Sequence, residues 1–263
     1  MIKKAIINLG LFFTVNVYAG QLSYQMDPDM YALYHFERIG AGNDMFYLNE
    51  KPNVAGTNIQ IIIGGWQLPN GIFGSYPYFN GSNSDIRQGS LYPMNGTGGW
   101  TFMFWIKYDG QAAGAYDELL GDGGYDTIPW WCFQTNANKK GASSNIYFTI
   151  STVGGREDTN LTLPTNHFFL DQSWHFFAGV RGNNVLGEFN YVFVDGCWYK
   201  GGARVVGANM GTSDGLNVGC FNGSSLFFKG CMDELAFFNR ALTFGEINKY
   251  WSIMRGNYTC SEQ

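Results

Sequence analysis

The sequence predicts an all-β fold, an antiparallel β-sandwich with one short C-terminal helix. Three observations predict it. Aromatic residues make up 17% of the 263-residue chain and glycines number 36, the balance expected where short strands carry bulky inward side chains between tight turns. Short apolar runs separated by glycine, asparagine and aspartate recur throughout, and no helical periodicity sustains itself before residue 243. A chain that is 45% hydrophobic and 14% charged can fill one large core, and all-β sandwiches of this length are commonly single domains.

From the N-terminus, Lys3 and Lys4 precede an apolar run from Ala5 to Tyr18, followed by Ala19. The run is shorter than the roughly 20 residues a membrane-spanning helix needs. It therefore reads as a secretory signal over 1–19, cleaved after Ala19, rather than as a membrane anchor. The mature domain is then 20–263, exported to the extracellular space or cell surface without stable membrane insertion. Losing the two lysines takes the formal charge from −5 to −7. A chain this acidic is a poor partner for nucleic acid, heparin or an anionic membrane.

Between Trp100 and Ile106, Trp100, Phe102, Phe104 and Ile106 share one face while Thr101, Met103 and Trp105 share the other. Both faces are largely apolar, which predicts a central strand. Ile146 to Ile150, His175 to Val180 and Tyr191 to Val194 read as further strands, the last running into Asp195-Gly196, a two-residue hairpin signal because both positions tolerate positive φ. One helix is predicted over Phe244 to Met254. Thr243 caps it with Glu246 reaching back, Leu242 staples against Ile247, and Gly256 ends it. Ile247, Tyr250, Trp251 and Met254 form one apolar stripe that docks on the sandwich.

Five cysteines, Cys132, Cys197, Cys220, Cys231 and Cys260, follow the signal, so disulfides are expected in an oxidising compartment. Pairing four of five allows about 15 arrangements. The Asn222-Gly223-Ser224 turn offers Cys220 with Cys231 as one of them. No Cys-x-x-Cys pair argues for metal.

The segment Phe228-Lys229-Gly230-Cys231-Met232-Asp233-Glu234-Leu235-Ala236-Phe237-Phe238-Asn239-Arg240-Ala241-Leu242 resembles the closing strand of laminin G-like domains, in the concanavalin A-like lectin and glucanase jelly-roll superfamily. Leu33-Tyr34-His35-Phe36-Glu37 is similar to the family's opening strand, and Phe79-Asn80-Gly81 to its Phe-Asp/Asn-Gly turn. Trp100 to Lys107, Trp174 to Val180 and Tyr191 to Gly196 match further elements in order. The resemblance implies a jelly roll covering most of the mature chain and says less about the ligand. It also implies a Cys231–Cys260 disulfide, and one Ca²⁺ where the opening strand meets the closing one. By position, Asp233, Asp44 and Glu37 would be its ligands.

The related glucanases carry Glu-x-Asp-x-(x)-Glu on one strand, and no such motif occurs here. The acidic clusters are the adjacent pairs Asp117-Glu118, Glu157-Asp158 and Asp233-Glu234, which read as solvated loop charges. His35 and His175 fall inside strands and read as structural, while His167 has no Gly-x-Ser-x-Gly elbow to partner. No enzyme is expected. A sugar site combines an exposed aromatic ring with amides or carboxylates. Tyr125, Asp126, Trp130 and Trp131 in one loop are the first candidates, Trp198 and Tyr199 the second, and Trp66 a third. Asn-x-Ser/Thr sequons occur at Asn80, Asn95, Asn160, Asn222 and Asn257. The function expected is a secreted, non-catalytic module binding a glycan or glycoprotein through loops at the sandwich rim, with calcium assistance. The alternative is a structural or adhesive surface protein using the sandwich for protein contacts.

Overall fold

The computed structural model describes residues 27–36, 38–39, 46–47, 59–63, 66–69, 71–72, 75–88, 97–110, 116–122, 129–137, 143–165, 169–182, 188–205, 207–210 and 215–255. The expected signal at 1–19 lies outside the described residues. The strands are β1 (Met30–Tyr34), β2 (Arg38–Ile39), β3 (Phe46–Tyr47), β4 (Ile59–Ile63), β5 (Trp66–Pro69), β6 (Ser75–Asn80), β7 (Asp85–Gln88), β8 (Trp100–Tyr108) and β9 (Asp117–Gly121). They continue with β10 (Trp130–Asn136), β11 (Asn145–Thr152), β12 (Gly155–Thr162), β13 (His175–Arg181), β14 (Phe189–Val194), β15 (Cys197–Ala203), β16 (Leu216–Val218) and β17 (Lys229–Phe238), and the helix α1 (Phe244–Arg255) follows.

Two antiparallel sheets form. An eight-stranded sheet runs β15-β14-β13-β8-β17-β6-β5 with β1 also on β17, and a nine-stranded sheet runs β12-β11-β10-β9-β16-β7-β4-β3-β2. The period-2 alternation of β8 explains its central place. Trp100, Phe102, Phe104 and Ile106 point into the core between the sheets. Met103 and Trp105 point the other way, into a second apolar cluster with Ile247, Tyr250 and Trp251 of α1. The eight-stranded sheet is thus buried on both faces along part of its length, and α1 docks as its stripe predicts. Its cap is reciprocal: the Glu246 amide donates to Thr243 Oγ1 at 3.3 Å and the Thr243 amide to Glu246 Oε2 at 2.7 Å. Among the described residues no helix is long and apolar enough to cross a membrane.

β17 carries the closing segment. Its first half pairs with β6 and its second half with β1, while β8 runs along its other side. The register with β8 shifts between Asp233 and Ala236, and Glu234 takes a φ of 54° there, the left-handed conformation of a bulge. The bulge aims Asp233 at the Ile72 amide, 2.7 Å away, and Glu234 at His35 Nδ1, 2.5 Å away.

The acidic pairs depart from expectation. Asp117, Glu118, Glu157, Asp233 and Glu234 are all buried, and of the six acids only Asp158 reaches solvent. Adjacent residues on a strand face opposite ways, so a pair on a buried strand must send one carboxylate inward. The expected Cys231–Cys260 disulfide is also corrected. Cys231 is a free, buried thiol on β17, standing between Tyr78 and Lys107 in register. Cys132 and Cys220 are free as well, which removes the Cys220–Cys231 alternative. Cys197 is disulfide-bonded, and Cys260 lies outside the described residues.

The Asp195-Gly196 turn has φ of 47° and 93°, the geometry its sequence predicts. Asp195 also binds across to β13, accepting from the Phe176 amide at 2.8 Å. Its other oxygen lies 2.6 Å from His175 Nδ1, and Asp171 lies 2.9 Å from Nε2. Burial opposes charge on His175, but the hydrogen bonds and charges of Asp195 and Asp171 outweigh it and raise its pKa above 6.5. Burial likewise raises the Asp171 carboxyl, and the hydrogen bonds from His175 and the Ser173 backbone outweigh it, lowering it below 3.8. A raised imidazolium stabilises the fold fully below its unfolded pKa and less as pH climbs through the folded value. A lowered carboxylate does so above its unfolded pKa and less as pH falls through the folded value. The melting advantage of the native chain over His175→Gln should therefore be full between about pH 4 and 6.5 and shrink on either side. An advantage that grows above neutral pH would contradict this.

Candidate ligand-binding face

The outer face of the nine-stranded sheet is polar where β10, β11 and β12 lie side by side. Register places four rows across it. They are Trp130-Ser151-Arg156, Cys132-Thr149-Asp158, Gln134-Tyr147-Asn160 and Asn136-Asn145-Thr162. The intervening residues, such as Phe133, Phe148, Ile146 and Trp131, fill the core. Binary alternation thus turns three adjacent strands into a largely apolar wall on one side and, on the other, an array of amides and hydroxyls with one phenol, one indole, one thiol and the Arg156–Asp158 ion pair. Burial rises toward the Trp130 row, while the Gln134 and Asn136 rows stay partly open.

Tyr147 stands at the centre of the open part. Tyr116, 38% exposed, meets it edge to face with ring centroids 5.0 Å apart. Burial and the neighbouring Tyr116 hydroxyl raise the Tyr147 phenol above its ordinary pKa. Thr162 Oγ1 donates to Asn145 Oδ1 at 2.9 Å. Gln134 Nε2 donates to Glu118 Oε2 at 3.0 Å.

Glu118 is fully buried beneath that amide. It fits because residue 121 is glycine: a Cβ there would lie 2.2 Å from Glu118 Oε1. Burial drives the Glu118 carboxyl well above the usual range, the Gln134 hydrogen bond opposes this, and nearby Asp122 adds to it. The acid form is favoured, so Glu118 brings little charge to the face. Its effect is to fix which way the Gln134 amide points.

The expected site residues disperse. Trp130 lies on this face, but Arg156 covers its ring with the guanidinium carbon 5.3 Å from the centroid, leaving Trp130 5% exposed. Trp131 is one residue on, faces the core against Trp100 and is 1% exposed, so it leaves the ligand-binding set. Trp198 and Tyr199 separate for the same reason. Trp198 stacks on Phe244 of α1 at 4.2 Å, whereas Tyr199 packs against the inter-sheet core with its phenol pushed up to about 12 by burial and then by Asp195. They cannot form one site. Tyr125 and Asp126 lie outside the described residues. Trp66 stands opposite Tyr78 in register on the other sheet.

The expected metal position at Asp233 is built differently. Its two oxygens accept from the amides of Ile72 and Glu234, at 2.7 and 2.9 Å, and it is fully buried. Glu234 is turned to His35. Asp44 and Glu37 lie outside the described residues, and among the described residues no group of three His, Cys, Asp or Glu side chains comes together to hold a metal. Asp233 serves there as a bracket between β17 and the chain near Ile72.

Tyr116, Tyr147, Gln134 and Glu118 are absent from the sequence-derived candidates. The signal that finds Tyr147 is the run of alternate polar residues in Arg156, Asp158, Asn160 and Thr162 beside Asn145, Tyr147 and Thr149, the outward half of two paired strands; Tyr116, Gln134 and Glu118 join it only through the strand register.

A family model described as the concanavalin A-like lectin/glucanases superfamily matches residues 79–248. No curated protein matches the chain in sequence. Solved structures share the fold at low identity. The binding domain of botulinum neurotoxin serotype G is 13% identical at a TM-score of 0.60, covering 86% of this chain and 51% of that one. Domain 4 of AbnA, a GH43 extracellular arabinanase from Geobacillus stearothermophilus solved with arabinotriose, is 17% identical at 0.59, covering 84% and 97%. The binding domain of botulinum neurotoxin DC in complex with SialylT is 12% identical at 0.59, covering 87% and 52%. The chain spans about half the length of the toxin binding domains it matches.

Proposed function

The chain belongs to the concanavalin A-like lectin/glucanases superfamily, and from that premise we propose that it is a secreted, non-catalytic module that binds a neutral glycan on the open face of its nine-stranded sheet. The observation that carries this reading is the Tyr116-Tyr147 pair set among Gln134, Asn136, Asn145 and Asn160. Aromatic rings receive the C–H faces of sugars, and amides both donate to and accept from hydroxyls. Glu118 holds the Gln134 nitrogen, which leaves the amide oxygen for a ligand hydroxyl. The fold likeness to a domain solved with arabinotriose is consistent with such a ligand. No calcium ligand is assigned, since Asp44 and Glu37 lie outside the described residues.

The test is a neutral-oligosaccharide array that includes arabinotriose, followed by calorimetry on any hit. Tyr147→Ala should weaken binding about 10-fold, since an aromatic contact of this kind contributes up to about 1.5 kcal/mol. The melting midpoint should hold, because Tyr147 is half-buried on an outer face. A hit that survives Tyr147→Ala undiminished would move the site elsewhere. No hit at all, with ordered self-association in solution, would favour an adhesive role.

A further inference from the structure

Two amides flank Tyr147 on its face, and each is pinned at one end. Gln134 stands directly across from Tyr147 on β10, and Asn145 lies two residues before it on β11, so alternation puts all three side chains on the same side of the sheet. Such neighbours lie about 5 Å away across the strands and about 7 Å away along one. One sugar ring stacked on Tyr147 therefore spans both. Gln134 Nε2 donates to Glu118 Oε2 at 3.0 Å, whereas Asn145 Oδ1 accepts from Thr162 Oγ1 at 2.9 Å. The two pins have opposite sense. A side-chain amide has a carbonyl that accepts and a nitrogen that donates, so the first pin leaves the Gln134 oxygen for a ligand and the second leaves the Asn145 nitrogen. Among the described residues nothing donates to Gln134 Oε1 or accepts from Asn145 Nδ2.

The Glu118 pin is the more deeply held. Its carboxyl is fully buried, and Gln134 is the side chain that donates to it, Oε1 having no hydrogen-bond partner among the described residues. Since Oε2 accepts, the acid proton belongs on Oε1, the oxygen packed against Gly121. Turning the Gln134 amide over would set its carbonyl oxygen against the oxygen that now accepts, in a place water does not reach, which is costly. The amide is held as it stands. A free hydroxyl both donates and accepts, whereas its methyl ether only accepts. An outward carbonyl and an outward nitrogen therefore tell the two groups apart.

Taking the Tyr147 face as the ligand site, we infer that it reads substitution on a neutral glycan: the sugar hydroxyl over Gln134 must be free, while the one over Asn145 tolerates an ether. The probes are arabinotriose, or whichever neutral oligosaccharide leads the array, with its mono-O-methyl and monodeoxy forms, measured by calorimetry. At one hydroxyl both changes should weaken binding about 10-fold, and at another only the deoxy change should do so. Glu118→Leu frees the Gln134 amide to turn its nitrogen outward, so the methyl penalty at the first hydroxyl should vanish. Glu118→Gln keeps an acceptor for Gln134 and should keep the penalty. Asn145→Asp replaces the outward donor by an acceptor and should make methylation costly at the second hydroxyl too. It lies half-buried on an outer face, so it tests the code even if Glu118→Leu fails to fold. A methyl penalty that persists in Glu118→Leu at an unchanged melting midpoint, tolerance of methylation at every hydroxyl, or tolerance at the second hydroxyl that survives Asn145→Asp would overturn the inference and leave a Tyr147-dependent site standing. No array hit, or a hit indifferent to Tyr147→Ala, would remove the site and the code with it.

Discussion

Glu157→Leu should destabilise the fold by about 3–5 kcal/mol, because it leaves a buried guanidinium without its counterion. Glu157 points inward from β12 of one sheet, and Arg181 points inward from β13 of the other. The two meet as a bidentate pair: Nη2 donates to Oε1 at 2.8 Å and Nε to Oε2 at 3.0 Å. The network extends further. Arg181 Nη2 also donates to the Ala208 carbonyl at 3.0 Å, while Glu157 accepts from the Val205 amide at 3.2 Å and the Asn190 side chain at 3.3 Å. Both side chains are fully buried, so solvent does not screen the loss. The double change Glu157→Leu with Arg181→Met should recover much of the deficit, since an apolar pair of similar volume strands no charge. Urea melts at constant m-value measure both. A single substitution costing under about 1 kcal/mol would show that the pair is dispensable.

That network marks where sequence reasoning reaches its limit. The strands were legible because each apolar run carries its own period: Trp100 to Ile106 shows two apolar faces, and the structure buries both. The helix was legible because its cap and stripe are local, lying within a few residues of Thr243. The acidic pairs were not. Glu157 and Asp158 are indistinguishable by composition, and only the position of Arg181, 24 residues on and in the other sheet, decides which is buried. Asp233 and Glu234 are similar, since their partners Ile72 and His35 lie 161 and 199 residues away.

The candidate site was less legible still. Reading Trp130 and Trp131 as one loop fails because β10 begins at Trp130, and a strand sends consecutive side chains to opposite faces. Tyr147 and Gln134 meet through the β10-β11 register, which a list of loops and aromatics does not contain. The candidate face is built from strand positions, with Tyr116 immediately before β9, rather than from rim loops. Composition still limited the ligand, since an acidic chain with few cations leaves neutral groups as the default partner.

The other large effect expected is in the core beneath that face. Phe102→Ala should cost about 3–5 kcal/mol. Phe102 is fully buried on β8, with Phe133, Phe148 and Trp131 across the sandwich at ring distances of 5.2, 5.5 and 5.6 Å. Its cross-strand partner is Gly179 of β13, and a Cβ on Gly179 would sit 2.2 Å from Phe102 Cζ. The ring therefore lies where a side chain at 179 would go, an aromatic covering a strand glycine. Gly179→Ala should accordingly cost about 1–3 kcal/mol by overpacking. In Phe102→Leu with Gly179→Ala the added methyl occupies space the ring has left, so the double change should cost less than the two singles together, by about 0.5–3 kcal/mol. Additive costs in urea melts would mean that the two residues do not share that space. The consequence reaches the surface, because Trp131 and Phe133 belong to β10, whose alternate residues Trp130 and Gln134 form part of the ligand-facing rows. A void beneath them should loosen the binding face even in a chain that still folds.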